Sequence, residues 1–125
     1  MGDKAKEGLS GIVGLKVVRA TSSLQTMAIE LSEGRSLLIE AAGDATSPLV
    51  QVSTPRVELL PTEQDAVCAV DWGWIYGSAI EDATVSSGVV KLQLKPAGPL
   101  SVSVHVWQGK PFLAFQPFRP AAARV

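Results

Sequence analysis

The sequence predicts an all-β fold: an antiparallel β-sandwich or small flattened barrel built from two pseudo-repeated units of about four strands, with at most one short helical turn. Three observations carry this expectation. Apolar residues recur at every second position. Turns containing Gly or Pro separate the alternating runs. The whole pattern returns in phase 63 residues later, as from Gly14 to Gly77. A period of two marks a strand with one buried face.

The first hairpin lies in Thr26–Ala41. Met27, Ile29 and Leu31 alternate with Thr26, Ala28 and Glu30; Ser32-Glu33-Gly34-Arg35 turns the chain; Leu37, Ile39 and Ala41 then alternate with Leu38 and Glu40. A Gly-bearing turn between two alternating runs reads as a β-hairpin. The second half repeats this more cleanly. Val90, Leu92 and Leu94 alternate with Lys91, Gln93 and Lys95. Pro96-Ala97-Gly98-Pro99 turns, and Leu100, Val102, Val104 and Val106 alternate with Ser101, Ser103 and His105. One aliphatic and one polar face suit an antiparallel sheet with one solvated side. Flanking strands are expected at Gly14–Ala20, Leu49–Ser53, Arg56–Leu60, Val67–Tyr76, Ser78–Val85 and Pro111–Gln116, with a short helical turn over Pro61–Val67.

At the offset of 63, Ala20-Thr21 falls on Ala83-Thr84 and Pro48 on Pro111, while Met27, Ile29 and Leu31 fall on Val90, Leu92 and Leu94. No gap is needed. A slip of one residue would exchange the faces of every strand, so the shared phase is informative. The units are placed at about 14–60 and 77–120, within one domain over 1–125 and with a linker at 61–76. Neither unit could bury its apolar face alone, so the two are expected to share a core.

Hydrophobic residues make up 46% of the 125 and charged residues 18%, against roughly 25% charged in an average soluble domain. A covered apolar surface fits such a composition, and self-association would supply the cover. The net charge of −1 and the absence of a basic run argue against nucleic acid. No run approaches the ~18 apolar residues of a membrane span, and the N-terminus lacks a signal-peptide core, so no membrane partner and a cytoplasmic location are expected. A single cysteine excludes an internal disulfide.

The candidate contact residues are aromatic. In Asp71-Trp72-Gly73-Trp74-Ile75-Tyr76, a strand would place Trp72, Trp74 and Tyr76 on one face. Such a ladder could close the core, meet a partner or stack on a ligand. Trp107 is expected at a hairpin tip over Trp107–Pro111. Phe112, Phe115 and Phe118, interleaved with Pro111, Pro117 and Pro120, read as an edge strand or a strap, because proline cannot sit in a central strand. A Phe-rich edge invites pairing unless it is covered.

Catalytic readings are weaker. Cys68 and His105 are each the sole residue of their kind, but Cys68 lies in an apolar run where cysteine acts as a small hydrophobe. Asp71 with Glu81 or Asp82 is the acid pairing that could serve hydrolysis, though adjacent Glu81 and Asp82 should point to opposite faces of a strand. Asp65 could add an oxygen ligand only if these acids converged. One His and one Cys cannot build an ordinary zinc site. No metal, no cofactor and no catalytic residue are therefore assigned. The expectation is a non-enzymatic binding or assembly protein, a homodimer or the partner of another protein. The alternatives are a small-molecule-binding β-barrel module and a hydrolase-like enzyme with acids in a cleft.

Overall fold

The computed structural model describes residues 9, 11–56, 71–86 and 88–117. The expected helical turn at Pro61–Val67, the strand residues between 57 and 70, and the side chains of Asp65, Cys68 and Phe118 lie outside these residues. Among the described residues the elements are eight strands and two 3-10 turns. The strands are β1 (Val17–Ser22), β2 (Thr26–Leu31), β3 (Ser36–Gly43), β4 (Pro48–Ser53), β5 (Ala79–Ser86), β6 (Val89–Lys95), β7 (Gly98–Trp107) and β8 (Lys110–Gln116). They form two four-stranded antiparallel meanders, β1-β2-β3-β4 and β5-β6-β7-β8. Across the sandwich β3 packs on β8, and β4 on β7. No helix among the described residues is long and apolar enough to cross a membrane.

The alternation in sequence becomes the core. Met27, Ile29, Leu31, Leu37 and Ile39 from the first sheet meet Ile80, Val90, Leu92, Leu94, Leu100 and Val102 from the second, all buried. Each such aliphatic side chain contributes about 1.5–3 kcal/mol through removal from water.

The two sheets are copies in register. Every cross-strand pair in the first recurs in the second at the offset of 63: Ala20 opposite Ile29 becomes Ala83 opposite Leu92, and Ile39 opposite Val52 becomes Val102 opposite Phe115. The irregularities repeat too. Register slips between Val17 and Arg19 in β1, and between Ile80 and Asp82 in β5. Each bulge places two exposed residues between two buried ones, Val18-Arg19 in one unit and Glu81-Asp82 in the other. The expectation that Glu81 and Asp82 face opposite sides is thereby corrected: the bulge interrupts the alternation and leaves both in solvent.

The units meet about a pseudo-twofold axis. Lys16 bridges antiparallel to Ala79, its own counterpart. Gly14 N–H donates to the Ile80 carbonyl at 2.7 Å, and Gly77 N–H to the Val17 carbonyl at 2.8 Å. Val17 N–H donates to Ser78, and Ile80 N–H to Leu15. These four bonds are two symmetry-related pairs. They explain why β1 and β5 start later than the expected Gly14 and Ser78: the preceding residues pair with the other unit.

The strand expected over Val67–Tyr76 is not formed at its described end. Gly73–Ile75 is a 3-10 turn. Asp71 Oδ1 accepts the Gly73 N–H at 2.9 Å, and Ile75 N–H donates to the Trp72 carbonyl. The side-chain carboxylate competes for the backbone and starts a turn. Buried Trp72 and Ile75 are three residues apart, as are buried Leu9 and Ile12, where Ile12 N–H donates to the Leu9 carbonyl. The correspondence thus reaches back to 9 and 72, into the segment the sequence assigned to a linker.

Candidate functional site

The turn disperses the aromatic ladder. Trp72 is 3% exposed. Its indole N–H donates to Ser22 Oγ at 2.9 Å, and its ring meets Phe115 edge to face, with centroids 5.0 Å apart. Trp74 is half-buried against the core. Tyr76 is 45% exposed, but its hydroxyl lies 3.4 Å from both the carbonyl oxygen and the amide nitrogen of Ala20. Trp72 therefore closes the core, and Tyr76 fastens the turn to β1. The shared face expected for Trp72, Trp74 and Tyr76 does not exist, because a 3-10 turn spaces side chains by three and not by two. Ser22→Ala is expected to cost about 1–3 kcal/mol by leaving the buried indole N–H without an acceptor, read as a lower midpoint in urea unfolding.

The other aromatic group stays together. β6 begins at Val89, opposite Ser103, so among the described residues β8 is the one strand paired with β7 beyond Val104, and the pair continues as a two-stranded ribbon. Gln108 and Gly109 turn it with φ of 51° and 76°, the doubly positive geometry of a tight hairpin. Trp107, at the tip, is 69% exposed. Val106 was expected in the aliphatic face; it is exposed because the ribbon runs past the core. β8 is an edge strand, which suits Pro111 near its start. Phe115 turns inward to Trp72, whereas Phe112 lies on the outer face against His105, ring centroids 5.9 Å apart.

Pairing places Trp107 beside Lys110, His105 beside Phe112, Ser103 beside Ala114 and Ser101 beside Gln116 on that outer face. Ser103 Oγ and His105 Nε2 are 3.0 Å apart. A shallow depression is lined by Ser103, His105, Ala114, Phe115, Gln116 and Pro117. It contains no carboxylate. Leu24, also exposed, reaches the same end from the β1–β2 turn: Leu113 N–H donates to its carbonyl at 2.8 Å, and Gln25 Nε2 donates to the Pro111 carbonyl.

The first unit supplies an internal comparison. At the offset of 63, exposed Leu24, Val106 and Trp107 correspond to Ser87, Gly43 and Asp44. Asp44 Oδ1 accepts from Thr46 N–H, Thr46 Oγ1–H and Ser47 N–H. Those bonds, the Thr46 hydroxyl first, hold its carboxyl below the usual carboxylate range. The same backbone is thus closed by a polar loop at one end and by exposed apolar residues at the other, though Leu49, the counterpart of Phe112, is apolar as well. The scaffold does not require Trp107.

Each candidate acid has its own neighbour. Asp71 serves its turn, Glu81 lies 4.0 Å from Lys95, and Asp82 stands opposite Gln93. No group of three or more His, Cys, Asp or Glu among the described residues could hold a metal ion. A surface ion pair joins Arg19 to Glu30; the Glu30 hydrogen bond, and then its charge, raise the Arg19 pKa. Set against protein-family models, curated proteins and solved structures, the chain matches none of them.

Proposed function

We propose that this is a non-enzymatic binding and assembly protein that works as a homodimer, with the end of the β7–β8 hairpin as its contact surface. The observation that carries the reading is the exposure of Leu24, Val106 and Trp107, whose counterparts at the offset of 63 are Ser87, Gly43 and Asp44. Aromatic residues at a protruding tip are the usual anchors of protein contacts.

A second copy is the favoured occupant because the face is self-complementary. Trp107 and Lys110 are cross-strand neighbours. A twofold arrangement sets the ammonium of each copy over the indole of the other, a reciprocal cation–π contact. A net charge of −1 per chain offers little repulsion. The single cysteine, which leaves no disulfide within the chain, supports a reducing compartment such as the cytoplasm.

Light scattering across a dilution series tests this. The wild-type chain is expected near twice 13.1 kDa. The triple variant Leu24→Ser, Val106→Gly, Trp107→Asp, which gives each position the residue of its counterpart, is expected at the single-chain mass with an unchanged circular dichroism spectrum. A wild-type monomer at all concentrations overturns the homodimer. The small-ligand reading has the depression over Ser103 and His105 in its favour; a monomer whose melting temperature rises with a metabolite would support it.

A further inference from the structure

We propose that the depression on the outer face of β7 and β8 is a binding site for a neutral saccharide. The site does not depend on the dimer contact: Leu24, Val106 and Trp107 do not line it.

The relief comes from side-chain size in three successive cross-strand pairs. Ser103 and Ala114, both small, stand opposite each other. His105 beside Phe112 rises on one side of them, and Gln116 beside Ser101 on the other. The first unit carries a different pattern on the same backbone. At the offset of 63, Ser103 and Ala114 correspond to Glu40 and Gln51, which are likewise paired, and His105 corresponds to Ala42. Two long side chains thus stand where the second sheet has two small ones. The fold itself does not call for the depression, and the units differ at the residues that shape it.

The lining sets the class of ligand. Ser103, His105 and Gln116 bring a hydroxyl, an imidazole and a carboxamide to the depression. Each of these groups can both donate and accept a hydrogen bond. The hydroxyls of a sugar ring do the same. Ala114 and Pro117 add apolar surface, which suits the C–H face of such a ring. A few polar groups set among apolar ones is the usual make-up of a small-ligand site. No carboxylate, lysine or arginine lines the depression, so a metal cation or an anion finds no fixed counter-charge there. The imidazole is steadied from two sides. Ser103 Oγ lies 3.0 Å from its Nε2, and the Phe112 ring centroid is 5.9 Å from its own. A ring held in this way loses little freedom when a ligand arrives.

The test is an NMR titration of the full chain with glucose, galactose, mannose, maltose and cellobiose, followed through the His105 ring and Gln116 side-chain amide resonances. The depression is shallow, so the expected dissociation constant is on the order of 1–10 mM, and each sugar is taken well above that. At least one sugar is expected to shift both resonances saturably. The double variant Ser103→Glu, Ala114→Gln, which gives both positions the first unit's residues, should bind about tenfold more weakly or worse with an unchanged circular dichroism spectrum. Gln116→Ala, read through the His105 ring, should weaken binding about two- to tenfold by removing one hydrogen-bonding group. The triple variant Leu24→Ser, Val106→Gly, Trp107→Asp should keep the site, so a failed dimer leaves it standing. Resonances that no sugar moves, or equal binding by the double variant, overturn the site. Shifts produced by acetate or phosphate and by none of the sugars overturn the ligand class.

Discussion

Trp72→Ala is expected to destabilise the protein by about 3–5 kcal/mol, the range for removing a buried large aromatic from a packed core. The indole touches both units. Its N–H donates to Ser22 in β1, and its ring edge packs against Phe115 in β8. Alanine would leave a cavity between the sheets and strand the Ser22 hydroxyl. In a protein whose total stability is about 5–15 kcal/mol, such a loss removes about a fifth or more. Guanidinium unfolding measures it directly. Trp107→Ala, removing the same side chain from a solvent-exposed tip, should change the single-chain stability by no more than about 0.5 kcal/mol. Equal losses at the two positions would contradict the assignment of one tryptophan to the core and the other to the surface.

Gly43→Ala is expected to cost about 3 kcal/mol or more. The residue adopts φ of +79°, and a Cβ built there runs into the Ser47 carbonyl oxygen. The left-handed conformation alone costs a residue with a side chain roughly 1–2 kcal/mol. The collision adds to this, because the Ser47 carbonyl is fixed by the loop that Asp44 ties together. Gly34→Ala separates the two terms: Gly34 has a similar φ of +70° with open space around it, so it should lose only the backbone term. Thermal melting of both variants should place Gly43→Ala well below Gly34→Ala. If the two melt alike, the collision is relieved by loop movement and the backbone term alone remains.

Much of this architecture was legible in the chain. Met27, Ile29 and Leu31, with Val90, Leu92 and Leu94, announced both second strands because a half-buried antiparallel strand has no other way to satisfy its two faces. The offset of 63 was legible because any insertion would have inverted a face. What escaped were the places where the period is not two. At Val17–Ala20 and Ile80–Ala83 a bulge spaces the buried residues by three. At Trp72–Ile75 a 3-10 turn does so. Both signals were present twice, as Leu9–Ile12 matches Trp72–Ile75, but a reading tuned to alternation takes a spacing of three for noise. The site was half legible. Trp107 at its tip could be read from Gln108-Gly109, a pair suited to a tight turn. The inward turn of Phe115, and the projection of β7 past β6, depend on strand lengths that local sequence does not specify.

The ladder around Lys16 and Ala79 also bears on how the chain reaches its structure. Within each meander every strand pairs with the next, so its ladders close shorter loops than the contacts between the units do. The bonds about the pseudo-dyad join residues sixty or more positions apart. The joining of the two units is therefore expected to be the slow part of folding, governed by the few residues on the axis. Changes at Leu15, Val17, Ser78 or Ile80 should act on the rate of folding, while changes deep in either hairpin should act on the rate at which the finished molecule comes apart.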